Sequence, residues 1–430
     1  MRKSNLLPVY QYFFGEENKY DYLIVGGGVI GCSLGYNIVS NYSKRVCLIE
    51  KESLGEGDSL LSAGTIWSVL RNNFKGGGKK LWKPIFCRET IKIVEGLQDE
   101  GFMTGWNNCG ALSFVSPMYQ DSLLKDFEMQ KKAGFAVQLL KGYNEIKKYN
   151  PYLNKNIDTA IYSPLSGYVE PSYLMEAVSD AAVKKGLEVV ENQQVTRIEK
   201  IPEWQFWRES NYRVITDKNN IFYTDNVVLC TGSDEQILYQ DLDIQLPVQS
   251  VRGRIFMSKE PVIDDNINSV VFCMDSIYYW DKNNTLDLVE KIPPFCSHNF
   301  DGSLLTNHLY GRTDKDGNFL FGYSRIKSNV YMDDPINAEN GLNFFETLFP
   351  ILRKKYDSEY GWFGFMPFSM TGKPIMDNLS CKEHPNIWIC NGFGPYGIMI
   401  GLGATKYMTQ WMIDKNKEAS EMLSQFRYFT

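Results

Sequence analysis

The stretch Asp21–Glu50, DYLIVGGGVIGCSLGYNIVSNYSKRVCLIE, decides the fold. Tyr22–Val25 is a short apolar run that ends in glycine, the pattern of a strand buried on both faces. Val29–Val39 follows with helical character, and Val46–Glu50 reads as a second strand. The turn between them, Gly26-Gly27-Gly28-Val29-Ile30-Gly31, contains G-x-G-x-x-G. Gly26 permits the tight turn, Gly28 lets the backbone approach a pyrophosphate, and Gly31 lets helix and strand pack closely. The helix N-terminus adds free N–H groups and a partial positive charge. Glu50 stands 19 positions after Gly31, with Lys51 beside it. That is close to the roughly 20 expected of an acid that accepts hydrogen bonds from a ribose. An acid there favours an unphosphorylated ribose, hence FAD or NAD rather than NADP. The glycines do not choose between the two.

Working outward, the chain has 430 residues, 43% hydrophobic and 22% charged, ordinary values for a globular protein of more than one compact unit. A net charge of −6 argues against nucleic acid as a partner. The nine cysteines are scattered without a Cys-x-x-Cys pair, so neither a metal site nor a disulfide framework is expected. His298, His308 and His384 sit in no motif and are read as surface or loop residues. No apolar run reaches about 18 residues, so no transmembrane segment is expected. Met1–Lys19 has a basic start but no apolar stretch of signal-peptide type.

The fold class that follows is α/β, with a Rossmann-like binding domain built from separated segments and an α+β substrate domain carrying an antiparallel sheet. Helices are expected at Phe86–Leu97, Ser122–Lys132 and Pro171–Gly186. In the last, Leu174, Ala177, Val178 and Ala181 share one face, proline opens the helix and Gly186 closes it. Leu187–Val190, Val195–Ile198 and Asn226–Cys230 read as strands, and Tyr212–Thr216 with Ile221–Tyr223 as a hairpin. The middle, from Leu246 to about Leu352, shows short strand-like runs, and Asp281–Asn307 reads as a long polar loop. The style of the first part returns in strand Ile387–Cys390, a glycine turn and helix Gly397–Asp414. The expected division is 20–100, 160–245 and 355–430 for the nucleotide-binding domain, and 101–159 and 246–354 for the substrate domain.

Four further segments select the cofactor. They are Gly57-Asp58-Ser59-Leu60-Leu61-Ser62-Ala63-Gly64, Gln194-Val195-Thr196-Arg197-Ile198, Val227-Val228-Leu229-Cys230-Thr231-Gly232 and Asn391-Gly392-Phe393-Gly394-Pro395-Tyr396-Gly397-Ile398. With Gly167–Pro171, Val251–Arg254 and Gly372–Asp377, they resemble the D-amino-acid-oxidase-like family of FAD-dependent oxidoreductases over about residues 20 to 410. Among these relatives, order and spacing are most similar to the mitochondrial FAD-dependent oxidoreductase domain-containing proteins linked to complex I assembly. That resemblance implies a mitochondrial location and respiratory-complex subunits as partners. The family resemblance implies that Ser62, Ala63 and Gly64 line the flavin edge and that Val195 holds the adenine through its backbone. It also implies that Thr231 and Gly232 pack on the ADP half. Gly392, Gly394, Tyr396, Gly397 and Ile398 would turn backbone N–H groups toward the flavin N1–C2 carbonyl region. Relatives that tether the flavin use a histidine or a cysteine. Those positions are Leu61 and Gly364 here, so non-covalent FAD is expected. Pro395 removes one N–H donor from the C-terminal turn.

The resemblance implies an enzyme that moves a hydride from the carbon beside an amine or hydroxyl of a small-molecule substrate. The substrate is a small amino acid, secondary amine or 2-hydroxy acid. An acid substrate calls for a positive partner, ideally a bidentate arginine. Arg71, Arg254 and Lys373 are the candidates, with Tyr278 as a donor. Arg71–Lys83 also carries Lys75, Lys79, Lys80 and Lys83, and is read either as a basic cover over the flavin or as a solvated loop. Relatives often continue from the tyrosine to an arginine. Tyr278 is followed instead by Tyr279, Trp280 and Asp281. The aromatic content of 14% suits ring-walled pockets and equally the covering of seams by Trp204, Trp207 and Trp362. An alternative reading stays open, an FAD-binding structural or assembly protein of a respiratory complex.

Overall fold

The computed structural model describes residues 19–69, 82–202, 210–233, 242–262, 269–278, 296–298, 304–327, 335–357, 360–369, 371–382 and 384–429. Its first sheet runs Ile375–Asn378, Ile387–Asn391, Ile221–Leu229, Lys19–Val25, Val46–Ile49 and Leu187–Val190, in that spatial order. Along this path four pairings are parallel and the Ile375–Asn378 edge is antiparallel; off it, Tyr212–Thr216 pairs antiparallel with Ile221–Leu229 and with Val195–Lys200, which makes eight strands. Parallel strands covered on both faces carry apolar residues at every position, which is why Val46–Ile49 and Ile387–Asn391 are buried throughout. Successive side chains of Lys19–Val25 serve two cores. Tyr22 and Ile24 pack with helices Val29–Asn41, Pro171–Lys184 and Gly397–Asp414, whereas Leu23 and Val25 pack with Val214, Phe222 and Leu229.

The second sheet has nine strands. Its main path is Gly361–Ser369, Val248–Met257, Phe319–Lys327, Leu304–Thr313, Val270–Cys273, Ala111–Phe114, Thr159–Ser163 and Gln138–Lys141. All these pairings are antiparallel except Val270–Cys273 with Ala111–Phe114. Helix Pro335–Leu348 covers it through rings. Phe345 stacks on Phe321 at 4.0 Å, and Phe321 stacks in turn on Phe256 at 4.9 Å. Much of the aromatic content is spent on this layer.

Several expectations need correction. Gly361–Ser369, and 160–163 of strand Thr159–Ser163, fall in the expected nucleotide-binding segments, and these strands pair with Val248–Met257 and Ala111–Phe114 in the second sheet. Ile221–Leu229 is one strand rather than two, because it pairs with Tyr212–Thr216 along its first half and with Lys19–Val25 from Tyr223 to Leu229. The polar stretch expected as a loop contains Cys296–His298, which pairs with Leu304–Thr306. The rest of Asp281–Asn307 up to residue 303, together with Trp204 and Trp207, lies outside the described residues. Trp362 does bridge a seam, donating Nε1–H to the Leu61 carbonyl at 2.9 Å. Asp377 is fully buried, and its Oδ2 accepts the backbone N–H groups of Tyr428 (2.7 Å) and Phe429 (2.6 Å). Among the described residues, no helix is long and apolar enough to cross a membrane.

Candidate functional site

The first sheet brings three strand ends into register, Val25 beside Leu229 and Leu229 beside Ile389. The turns that follow them therefore lie together at the carboxyl edge of the sheet, where strand order reverses and open α/β sheets take ligands. The glycine turn is needed there for space. Gly26 has φ +106°, and a side chain on it would meet the Cys230 carbonyl oxygen at 2.5 Å. A side chain on Gly31 would lie 1.9 Å from the Gly26 carbonyl oxygen, so helix and turn pack at backbone contact.

A cavity of about 530 Å³ opens over these turns. Gly26, Gly28, Val29 and Ile30 line it, with Glu50 and Lys51 beyond them. Ser62, Ala63 and Gly64 form another wall, Thr231 and Gly232 a third, and Gly394, Tyr396, Gly397 and Ile398 a fourth. Glu50 accepts the Gly27 N–H through Oε2 and the Glu52 N–H through Oε1 at 3.0 Å, which fixes an acid at the end of its strand. Gly31 and Gly392 do not line the cavity, because both are used for close packing. Val195 does not line it either. Its strand pairs antiparallel to Tyr212–Thr216, and the side chain is buried in the core with Leu23 and Ile49.

The far end of the cavity comes from the second sheet. Trp67, Phe272, Ile277, His308 and Tyr310 line it. Trp67 and Phe272 stack with centroids 4.8 Å apart. His308 Nδ1 and the buried Ser276 Oγ are 2.7 Å apart. The expectation for His308 is thus corrected: it is an inward residue of a strand, at a position no spacing motif marks. Among the described residues lining the cavity, Lys51 is the one lysine or arginine.

Tyr278, Arg254 and Lys373, the expected catalytic residues that are described, do not line the cavity. Tyr278 is 2% exposed and gives its hydroxyl proton to Asp126 at 2.6 Å, while the preceding Ile277 takes the cavity side of the same helical turn. Arg254 is buried against the rings of Phe256 and Phe363, on the face of its strand away from the cavity. Lys373 lies in a turn, where its N–H donates to Thr371 Oγ1 at 3.3 Å, and does not line the cavity. Arg71 lies outside the described residues, as do Lys75, Lys79 and Lys80. Lys83 is buried, with Nζ 4.4 Å from the centroid of the Tyr396 ring.

Other residues of the quoted segments carry the site without having been given a role of their own. Ser59 Oγ accepts the Val29 N–H at 2.9 Å, at the helix N-terminus. Asp58 Oδ1 accepts the Phe365 N–H at 2.8 Å and ties the loop after the second strand to the second sheet. Asn391 donates to the Gly232 carbonyl at 3.0 Å and accepts the Gly392 N–H at 2.7 Å, joining two turns through one side chain. Two cavity thiols are held protonated. A hydrogen bond with Cys390, then burial, push Cys230 well above its usual range, and burial does the same to Cys273.

Glycine turns at backbone contact, a ribose-distance acid and N–H groups at two helix starts fit an FAD. The comparisons agree. The chain is 22% identical over 398 residues to mitochondrial sarcosine dehydrogenase of Mus musculus, covering 92% of this chain and 40% of that protein. It thus spans about 40% of the length of that curated relative. The crystal structure of glycine oxidase from Geobacillus kaustophilus superposes with a TM-score of 0.74 at 21% identity, covering 95% and 98% of the two chains. That of L-proline dehydrogenase from P. horikoshii gives 0.77 at 16% identity, covering 96% and 97%. The model of the FAD dependent oxidoreductase family matches residues 21–411, and the chain belongs to that family.

Proposed function

We propose that this chain oxidises the carbon beside an amine or hydroxyl of a small amino acid, secondary amine or 2-hydroxy acid. The observation that carries the reading is the continuity of one cavity from the glycine turn and Glu50 to the chamber of Trp67, Phe272, Ile277, His308 and Tyr310. Bound FAD would supply the hydride acceptor. In our reading Gly26, Gly28, Val29 and Ile30 hold the pyrophosphate, Glu50 the ribose, and Thr231 with Gly232 the ADP half. Ser62–Gly64 and the Gly394–Ile398 turn hold the flavin. The stacked pair Trp67 and Phe272 excludes water and sets the substrate plane. His308, braced by Ser276, takes the proton that leaves the substrate's N–H or O–H. Relatives of this chain include a sarcosine dehydrogenase, a glycine oxidase and a glycerol 3-phosphate oxidase, which supports this class. Anaerobic addition of amines, amino acids and 2-hydroxy acids to the flavin-loaded protein tests it. Bleaching of flavin absorbance by any of them is the expected result, and no bleaching by the whole panel would sink the reading.

One observation favours a second reading. Of the residues expected to hold a substrate carboxylate, Arg254, Lys373 and Tyr278 lie off the cavity, and Arg71 lies outside the described residues. A mitochondrial FAD protein with a structural role in respiratory complex I assembly would not need them. The mitochondrial names of the sarcosine and dimethylglycine dehydrogenases support that location. Copurification of respiratory subunits with a flavin that no substrate reduces would favour this reading.

A further inference from the structure

We propose that Arg312 is a positioning residue for the flavin and acts through the Ala63–Gly64 peptide without touching the cofactor. The inference rests on FAD binding and not on any particular substrate.

Arg312 follows the cavity residues His308 and Tyr310 on strand Leu304–Thr313 and is 1% exposed. Its guanidinium makes four hydrogen bonds. Nε donates to the Ala63 carbonyl. Nη1 and Nη2 form a fork on the Glu170 carboxylate at 2.9 and 3.0 Å, and Nη1 also donates to the Thr313 carbonyl at 3.0 Å. The Tyr168 ring covers one face, 4.4 Å from its centroid to the guanidinium carbon. Glu170 directly precedes helix Pro171–Lys184 and is also held by the Lys315 N–H at 3.1 Å. A planar fork on a carboxylate fixes orientation as well as charge.

A trans peptide is planar, so its C=O and N–H point in opposite directions. With the Ala63 carbonyl turned to Arg312, the Gly64 N–H is turned the other way. There it meets Ser62 Oγ at 3.3 Å, a long contact that leaves the donor free to take a better acceptor. Ser62, Ala63 and Gly64 all line the cavity. The next peptide is fixed too, since the Gly64 carbonyl accepts the Val169 N–H at 2.9 Å. A cation on a carbonyl polarises the amide and strengthens its N–H as a donor. Donors aimed at a flavin edge stabilise the negative charge that reduction places there. Arg312 thereby sets both the direction and the strength of a donor on the cavity wall.

The test compares wild type with Arg312→Met, Arg312→Lys and Glu170→Gln. The readouts are the FAD dissociation constant, the spectrum of the bound flavin and its midpoint potential. Arg312→Met is expected to bind FAD at least tenfold more weakly, with a lowered potential and an altered spectrum. Arg312→Lys keeps the charge without the fork and should fall between it and wild type. If Arg312→Met does not fold, Arg312→Lys and Glu170→Gln decide by the same readouts. Unchanged affinity, spectrum and potential in the folded variants would overturn the proposal. So would a loss of thermal stability alone, with the bound flavin unaltered. A wild-type chain that takes up no FAD would overturn FAD binding and this proposal together. A substrate panel that reduces nothing bears only on the activity.

Discussion

Leu61 and Gly364 face each other at contact distance: a side chain on Gly364 would begin 3.0 Å from the Leu61 Cβ, and both residues line the cavity. The family resemblance matches them to the positions of a tethering histidine and cysteine, and neither residue here can form a bond to the flavin ring. The other nearby nucleophiles with a resolved shift, Cys230 and Cys273, are held as thiols. Acid precipitation should therefore release all flavin to the supernatant. A yellow pellet would refute non-covalent binding.

His308 and Tyr278 make opposite predictions. His308→Gln should retain FAD and slow flavin reduction by substrate about 10²- to 10⁴-fold, the range for a lost proton acceptor. Tyr278→Phe should leave reduction near wild type and lower stability by about 1–3 kcal/mol, because Asp126 loses a buried partner. Stopped-flow reduction and chemical denaturation of both variants separate the two roles. A Tyr278→Phe enzyme as slow as His308→Gln would reverse the assignment.

Glu50→Ala removes the acceptor of two backbone N–H groups as well as the acid at the expected ribose position. Charged hydrogen bonds contribute about 1.5–3 kcal/mol, so FAD affinity should fall roughly ten- to a hundredfold. Titration of the apoprotein with FAD, followed by fluorescence quenching, measures it.

Asp275 gives a pH signature. Burial raises its pKa above the usual carboxylate value, and hydrogen bonds from Ser116 only partly oppose this. The folded state therefore favours the protonated acid. Its contribution to stability is present below the ordinary aspartate pKa and is lost as pH rises through the raised folded value. Asp275→Asn keeps an acceptor for the Ser116 N–H without the charge. It should gain stability over wild type as pH rises through that value and gain little in acid. Denaturation curves across that range check the sign, and a gain confined to acid would contradict it.

The cofactor end was legible because its constraints are local. Gly26–Gly31 and Glu50 stand at spacings that backbone geometry imposes, and helix Gly397–Asp414 appears with the bounds its sequence suggests. Pro171–Lys184 likewise announced itself by a proline and an apolar face. The substrate end was not legible, since its members meet only through long-range pairing. Arg252 and Arg254 bracket Phe363 on one buried face of their strand, while Gly253 and Ile255, by simple alternation, face the cavity. A one-residue change of register reverses inside and outside, and nothing in Val251–Arg254 itself marks which pair faces the cavity. Arg312 carried no local signal, since it sits near the end of a mixed strand, LLTNHLYGRT, and its partner Glu170 lies 142 positions away.

The register that sets Val25 beside Leu229 and Leu229 beside Ile389 has a consequence for assembly. Contacts between such distant parts of a chain form late and slowly. The cradle they build does not exist in any one segment, so FAD has nothing to bind until the beginning, middle and end of the matched region have come together. A ligand that binds only the finished form stabilises it by mass action, by about 2.7 kcal/mol when present at 100 times its dissociation constant. Flavin supply would then govern how much of this protein survives in the cell, apart from any reaction it carries out.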